Sequence, residues 1–188
     1  VRDFAKSGYL PEVVVNYISL LGWSPKGDLE KFDLEYLRQN FDLTGMGKAN
    51  SQFDRQKLLA FNADAIRALS PDEFRRRLFE YGIDSFEPAF GSADDPRFRL
   101  FAAAYHERCR TLSDPRRDGA FFFKADHEIG YDPKAVKKVL TKNAGQGLEV
   151  LRGLRPALAD CATWTVAAIE SAVSDHATKH DLGMGQIA

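Results

Sequence analysis

The chain has 188 residues, 44% hydrophobic and 28% charged, with 26 basic against 27 acidic side chains and a net charge of −1. That composition supports a packed core and argues against disorder, and the near-zero charge excludes a globally basic nucleic-acid binder, so any RNA surface must be a local patch. No apolar run reaches the roughly 20 residues of a bilayer span, and the charged opening VRDFAKSG has no apolar signal core, so no membrane partner and a cytoplasmic location are expected. Cys109 and Cys161 stand in no metal-like spacing and suit a reducing compartment. The chain opens on Val rather than Met, from which we expect a true N-terminus elsewhere.

In chain order, the first element is GYLPEVVVNYISLLGW, with apolar Leu10, Val13, Val14, Tyr17, Ile18 and Leu21 at helical spacing, Pro11 at the start and Gly22 at the stop. Residues 33–41 form a short helix capped by Asp33, and residues 53–69 a longer one turning Leu58, Phe61, Ile66 and Leu69 inward. Ser70-Pro71-Asp72-Glu73 is a capping box opening a helix that buries Phe74, Leu78 and Phe79 and stops at Gly82. The turn formers of GIDSFEPAFGSADDP read as a linker. A helix from Pro96 to Leu112 is predicted to bury Phe98, Phe101, Ala102, Tyr105 and Cys109, and SDPRRDGAFFF breaks it. Asp132-Pro133 starts another helix, Leu148, Leu151, Leu154 and Leu158 mark the next, and TWTVAAIESAVSDHATKH is the last. No alternating strand pattern persists and no repeat of solenoid period occurs. The expected class is all-α, an array of short helices in two to three subdomains.

Enzyme constellations are absent: no G-x-x-x-x-G-K-S/T loop, no G-x-G-x-x-G after a strand, no G-x-S-x-G elbow. No catalytic residue and no metal site are expected. His176 and His180 have the spacing of two metal ligands but no third, and read as solvated histidines on an outer face. Asp94-Asp95 reads as helix-start chemistry, and Cys109 as a packed thiol. Basic clusters say more. Arg108, Arg110, Arg116 and Arg117 sit near Tyr105 and His106; Lys134, Lys137, Lys138, Lys142, Arg152 and Arg155 face only Glu149. Basic side chains neutralise phosphates, and aromatic rings and guanidinium planes stack on splayed bases.

Gly8-Tyr9-Leu10-Pro11-Glu12, Asn16-Tyr17 and Leu20-Leu21-Gly22-Trp23-Ser24 resemble the G-F/Y-L-P-E block, and its continuation to L-L-G-W-S, of bacterial glutamyl-tRNA synthetases. Phe53-Asp54, Lys57-Leu58 and Asn62 resemble that family's F-D-x-x-K-L-x-x-x-N element, and Arg108 to Leu112 its R-x-x-T-L element. Thr163-Trp164-Thr165 and Leu182 to Ala188 resemble its last helix start and L-G-x-x-A segment. Ala60-Phe61 and Asn50-Ser51-Gln52 depart from the pattern, and Met46 to Asn50 is only superficially like the K-M-S-K-S loop.

The resemblance implies a C-terminal portion of such a ligase, without the nucleotide fold and its H-I-G-H signature and stopping before a P-L-R stretch. Residues 1–66 would be the end of a module contacting the tRNA stem. Residues 67–130 and 131–188 would be two subdomains of an anticodon-binding helical cage, the second truncated. The implied partners are tRNA(Glu) and the catalytic domain, with a monomer expected. ATP and Mg²⁺ serve the full-length parent, and this chain alone is expected to be inactive and free of cofactors. Arg108 would read the anticodon, with Arg110 second, unless it forms an ion pair with Glu107 or Asp114. Arg116 and Arg117 join them as RNA-binding candidates. Lys134, Lys137, Lys138 and Lys142 would meet phosphates. The competing reading is an α-helical protein-interaction module that binds no RNA.

Overall fold

The computed structural model describes residues 2–25, 27, 29–47 and 52–187. Lys48 to Ser51, which carry part of the loop likeness and one departure from the family block, lie outside the described residues, as does Ala188. The described residues are helical with no strand; an isolated bridge joins Trp23 to Met46. The chain divides into two compact units, residues 1–129 and 130–188. The expected border at 66/67 falls inside one helix of the first unit.

The first unit comprises α1 (Arg2–Lys6), α2 (Pro11–Gly22), α3 (Leu34–Asn40), α4 (Arg55–Ala68), α5 (Pro71–Tyr81), α6 (Ile83–Phe90), α7 (Pro96–His106) and α8 (Ser113–Asp118), with 3₁₀ turns at Leu43–Gly45, Ala120–Phe122 and Asp126–Glu128. Helix starts follow local chemistry. Asp33, Asp54, Ser70 and Asp95 each accept a backbone N–H of the first turn, and prolines open α2, α5 and α7. Glu73, the third helical residue of α5, binds Arg76 and then Arg77, which pull its carboxyl down to about 2.

The core gathers Leu10 just before α2, Val13 and Tyr17 of α2, Leu58, Phe61 and Ile66 of α4, and Phe74 and Leu78 of α5. Phe86 and Phe90 of α6 meet Phe98 and Phe101 of α7 with ring centroids 5.1–6.0 Å apart. Burying each such side chain contributes on the order of 1.5–3 kcal/mol. Of the six apolar positions read in the first element, Leu10, Val13, Val14 and Tyr17 are buried and Ile18 is exposed.

Three sequence expectations change here. The segment read as a linker contains α6, because Phe86 and Phe90, four apart, both enter the core and override the turn formers around them. The helix expected to run to Leu112 ends at His106. His106 rather than Tyr105 points inward: its Nε2 lies 3.0 Å from the Ile66 carbonyl, and its ring stacks on Phe74 at 4.5 Å. Finally, the expected break at SDPRRD is the short helix α8.

The second unit contains α9 (Pro133–Ala135), which runs into a π turn over Val136–Leu140, then α10 (Lys142–Ala159), α11 (Val166–Lys179) and α12 (Met184–Ile187). Asp132 caps α9 and Thr165 caps α11. Asn143, Ala144 and Gly145 form a left-handed first turn of α10, with φ of 53°, 57° and 86°. Helices α10 and α11 pack together and bury Val150, Leu154, His176 and Ala177. His176 is therefore not a solvated histidine: a Cβ on Gly153 would meet its Cε1 at 2.9 Å, so glycine makes its room. Its ring lies 4.4 Å from that of His180.

Candidate nucleic-acid interface

The segment from Glu107 to Leu112 carries two of the expected RNA-binding arginines on non-helical backbone, and distant parts of the chain hold it in place. Asn62 of α4 is fully buried; its Oδ1 accepts the Leu10 N–H at 2.8 Å, and its Nδ2 donates to the Arg110 carbonyl at 2.6 Å. The Leu112 N–H donates to the Gly8 carbonyl at 2.9 Å, and Ser113 Oγ donates to the Ser7 carbonyl at 3.2 Å. Gly8 has φ +77°, and a Cβ there would lie 2.5 Å from Ser113 N, so only glycine allows the two backbones to meet. From the other side Asp114 accepts the N–H groups of Arg110 (2.8 Å) and Thr111 (3.0 Å). Both peptide groups of Arg110 are thus clamped. Cys109 points into the core, and burial, with the Asp114 charge second, pushes its thiol up to about 12, so it is a packing group and not a nucleophile.

The guanidinium groups of Arg108 and Arg110 face solvent, and among the described residues neither has an ion-pair partner. Asp114, one of the two carboxylates weighed for Arg108, is occupied by Arg110, Thr111 and Arg117. Arg117 is held by Asp114 and Asp118 at 3.1 and 2.7 Å, which lowers its availability to a phosphate. Arg116 is exposed and lines a cleft of about 470 Å³ with Tyr81, Ser85, Ser113, Phe123 and Lys124. Burial pushes the Tyr81 hydroxyl above its ordinary range, with the Arg116 charge opposing the shift.

In the second unit Lys134, Lys137 and Lys138 are exposed on α9 and the π turn. Lys138 and Lys142 line a hollow of about 330 Å³ with Asn143, Gln146, Gly147 and Val150. Arg152 is paired with Glu149 and is less free than its neighbours. The arginines and lysines therefore form two groups, one on each unit. Among the described residues there is no group of three or more His, Cys, Asp or Glu that could hold a metal ion.

Sequence reasoning passed over Lys124, Phe121 and Phe122. The signal was present, because three consecutive phenylalanines on one tight turn cannot all face the same core.

A family model described as "Anticodon binding domain" matches residues 73–188, more than half of the chain. The chain belongs to the anticodon-binding domain family. A second model, "tRNA synthetases class I (E and Q), catalytic domain", matches residues 1–60, so the anticodon-binding domain follows a stretch of different kinship. The clamp described above joins the two stretches, since Gly8 and Leu10 lie in the first match and Arg110 and Leu112 in the second. The glutamate–tRNA ligase of Anaeromyxobacter sp. (strain Fw109-5) is 35% identical over the whole of this chain, which spans 38% of that relative's length. The crystal structure of a glutamate tRNA ligase from Elizabethkingia meningosepticum, in complex with its amino acid, covers 98% of the chain at 26% identity and a TM-score of 0.72; the chain spans 35% of it. That of glutamate–tRNA synthetase from Elizabethkingia anophelis, at 24% identity and a TM-score of 0.68, shares the fold; 98% of this chain and 34% of that one are covered.

Proposed function

We propose that this chain recognises tRNA(Glu) as the C-terminal part of a cytoplasmic, monomeric glutamate–tRNA ligase, which joins glutamate to its tRNA using ATP and Mg²⁺. The observation that carries the reading is the Arg108–Arg110 segment: exposed guanidiniums without ion-pair partners, on backbone clamped by Asn62, Gly8 and Asp114. A guanidinium offers a fork that reads a base edge and a plane that stacks on it, and a clamped backbone keeps either pose from being averaged away. Arg108 contacts the anticodon, with Arg110 second. Arg116, with Arg117 when released by its carboxylates, and Lys134, Lys137, Lys138 and Lys142 meet phosphates without regard to sequence. Residues 1–66 contact the stem, and the subdomains 67–130 and 131–188 hold the anticodon.

ATP and Mg²⁺ belong to the ligase's catalytic domain. We assign no step of the ligation to this chain's residues and expect the chain alone to be inactive. The test is binding of the chain to a tRNA(Glu) transcript and to an anticodon-swapped transcript across a salt series. Preference for the cognate transcript, lost in Arg108→Gln, is expected; Lys134→Gln should weaken both equally and shallow the salt slope by about 1. No salt-dependent binding to either RNA would favour a protein-interaction module instead.

A further inference from the structure

The turn after α8 leaves two phenylalanines outside the core. A 3₁₀ turn has three residues per revolution, so Ala120 and Phe123 share one side and Phe121 and Phe122 are left on the others. The first pair does line the 470 Å³ cleft, and Phe123 packs on Phe86 and Phe101 at 5.4 and 6.2 Å. Phe121 and Phe122 remain 55% and 58% exposed, with ring centroids 4.3 Å apart and planes 33° from parallel. Phe122 is also braced edge-on against the core ring of Phe101 at 5.6 Å. Rings that close lie face on face, so the pair, braced at Phe122, is a fixed apolar stack with an outward face left open.

What surrounds the platform selects its occupant. The cleft behind the turn carries the cations Arg116 and Lys124, neither with an ion-pair partner among the described residues, and the hydroxyl groups of Ser85 and Ser113. Paired positive charge beside a stacking surface suits a ligand that is aromatic on one side and anionic on the other. An apolar partner helix would leave the two cations unmatched. A base in a duplex has its faces covered by its neighbours, whereas an unpaired base offers one.

We propose that this turn and its cleft take one unpaired nucleotide of the bound RNA, its base on the outward face of the Phe121–Phe122 stack and its phosphate against Arg116 and Lys124. This rests on the RNA-binding reading and adds to it a second contact point, distinct from Arg108. The probe is a hairpin RNA carrying the anticodon stem and loop of a glutamate tRNA, titrated with the full 188-residue chain. Phe121→Leu/Phe122→Leu keeps the apolar area and removes the π faces. It should weaken binding about 5- to 100-fold, the range for losing a base–aromatic stack, with the salt slope unchanged. Arg116→Gln/Lys124→Gln should instead shallow the slope by about 1. All four side chains are exposed, and unchanged thermal melts check that each variant folds.

Abasic substitutions scanned through the loop identify the stacked position: there the leucine pair should cost nothing further. Unchanged affinity in the leucine pair overturns the inference. A leucine effect that persists with every abasic RNA also overturns it. If Arg108→Gln still abolishes anticodon preference in those cases, the broader reading survives; if the wild-type chain binds no RNA, both fail.

Discussion

Replacing Asn62 by alanine should loosen the whole first unit, not just one helix. The side chain is fully buried and serves two backbone groups, the Leu10 N–H at 2.8 Å and the Arg110 carbonyl at 2.6 Å. Alanine leaves the Leu10 N–H buried and unmatched, at a cost of about 1–3 kcal/mol. The Arg110 carbonyl is partly accessible, so water can replace its donor and the loss there is about 0.5–1 kcal/mol. Together they predict a destabilisation of about 2–4 kcal/mol. Urea unfolding in a Trp164→Phe background isolates the effect, because Trp164 lies in the second unit and is 70% exposed, leaving buried Trp23 to report on the first. With a urea slope of roughly 1–3 kcal/mol per molar, the midpoint should fall by about 1–3 M. A shift below about 0.3 M would refute the claim that Asn62 holds the two stretches together. Asn62→Asp should do no better, since it keeps the acceptor for Leu10 but turns an oxygen toward the Arg110 carbonyl.

Gly8→Ala meets both a φ of +77° and backbone 2.5 Å away, whereas Gly91→Ala meets a φ of +76° with nothing within 4 Å. The second substitution should therefore cost about 1–2 kcal/mol and the first clearly more, and equal melting temperatures would contradict the close approach. A disulfide thiol reagent at neutral pH should label Cys161, which is half-buried, and spare Cys109, whose thiol is held near 12, until urea unfolds the chain; two fast-reacting thiols would be inconsistent with that burial. Glu73 has its carboxyl held at about 2 by Arg76 and Arg77, against an ordinary value of 4.5. A depressed carboxylate stabilises the fold above its unfolded value, and that contribution is lost as pH falls from about 4.5 toward 2. Glu73→Gln should flatten the acid limb of the melting curve slightly, the side chain being 33% exposed and screened by solvent; an unchanged limb would mean that the pair contributes nothing.

What was legible in the sequence was local. Asp33, Ser70 and Asp132 are helix caps because each side-chain oxygen reaches an N–H two or three residues on, and spacing alone reveals that. The misread segments were decided by contacts far along the chain. Helix α7 stops at His106, and the residues after it give their backbone groups to Asn62 and Gly8, which periodicity within residues 96–112 cannot register. Helix α6 forms among turn residues because its two phenylalanines find a core built by α7. Among the site residues, Arg117 looked as free as Arg116, and only the fold shows Asp114 reaching it from one helical turn away.

The contact between Ser7 and Ser113 spans 106 positions, and a ribosome delivers those ends far apart in time. Until Leu112 emerges, Gly8 has no backbone partner and the Asn62 amide has no carbonyl to reach, so the nascent first unit must wait with its apolar faces partly uncovered. A chain cut to the matched residues 73–188 would remove Gly8, Leu10 and Asn62 while keeping Arg108 and Arg110. The border that kinship draws at residue 73 is thus not a border for folding, and grafting the later stretch alone onto another enzyme would carry the arginines without the geometry that aims them.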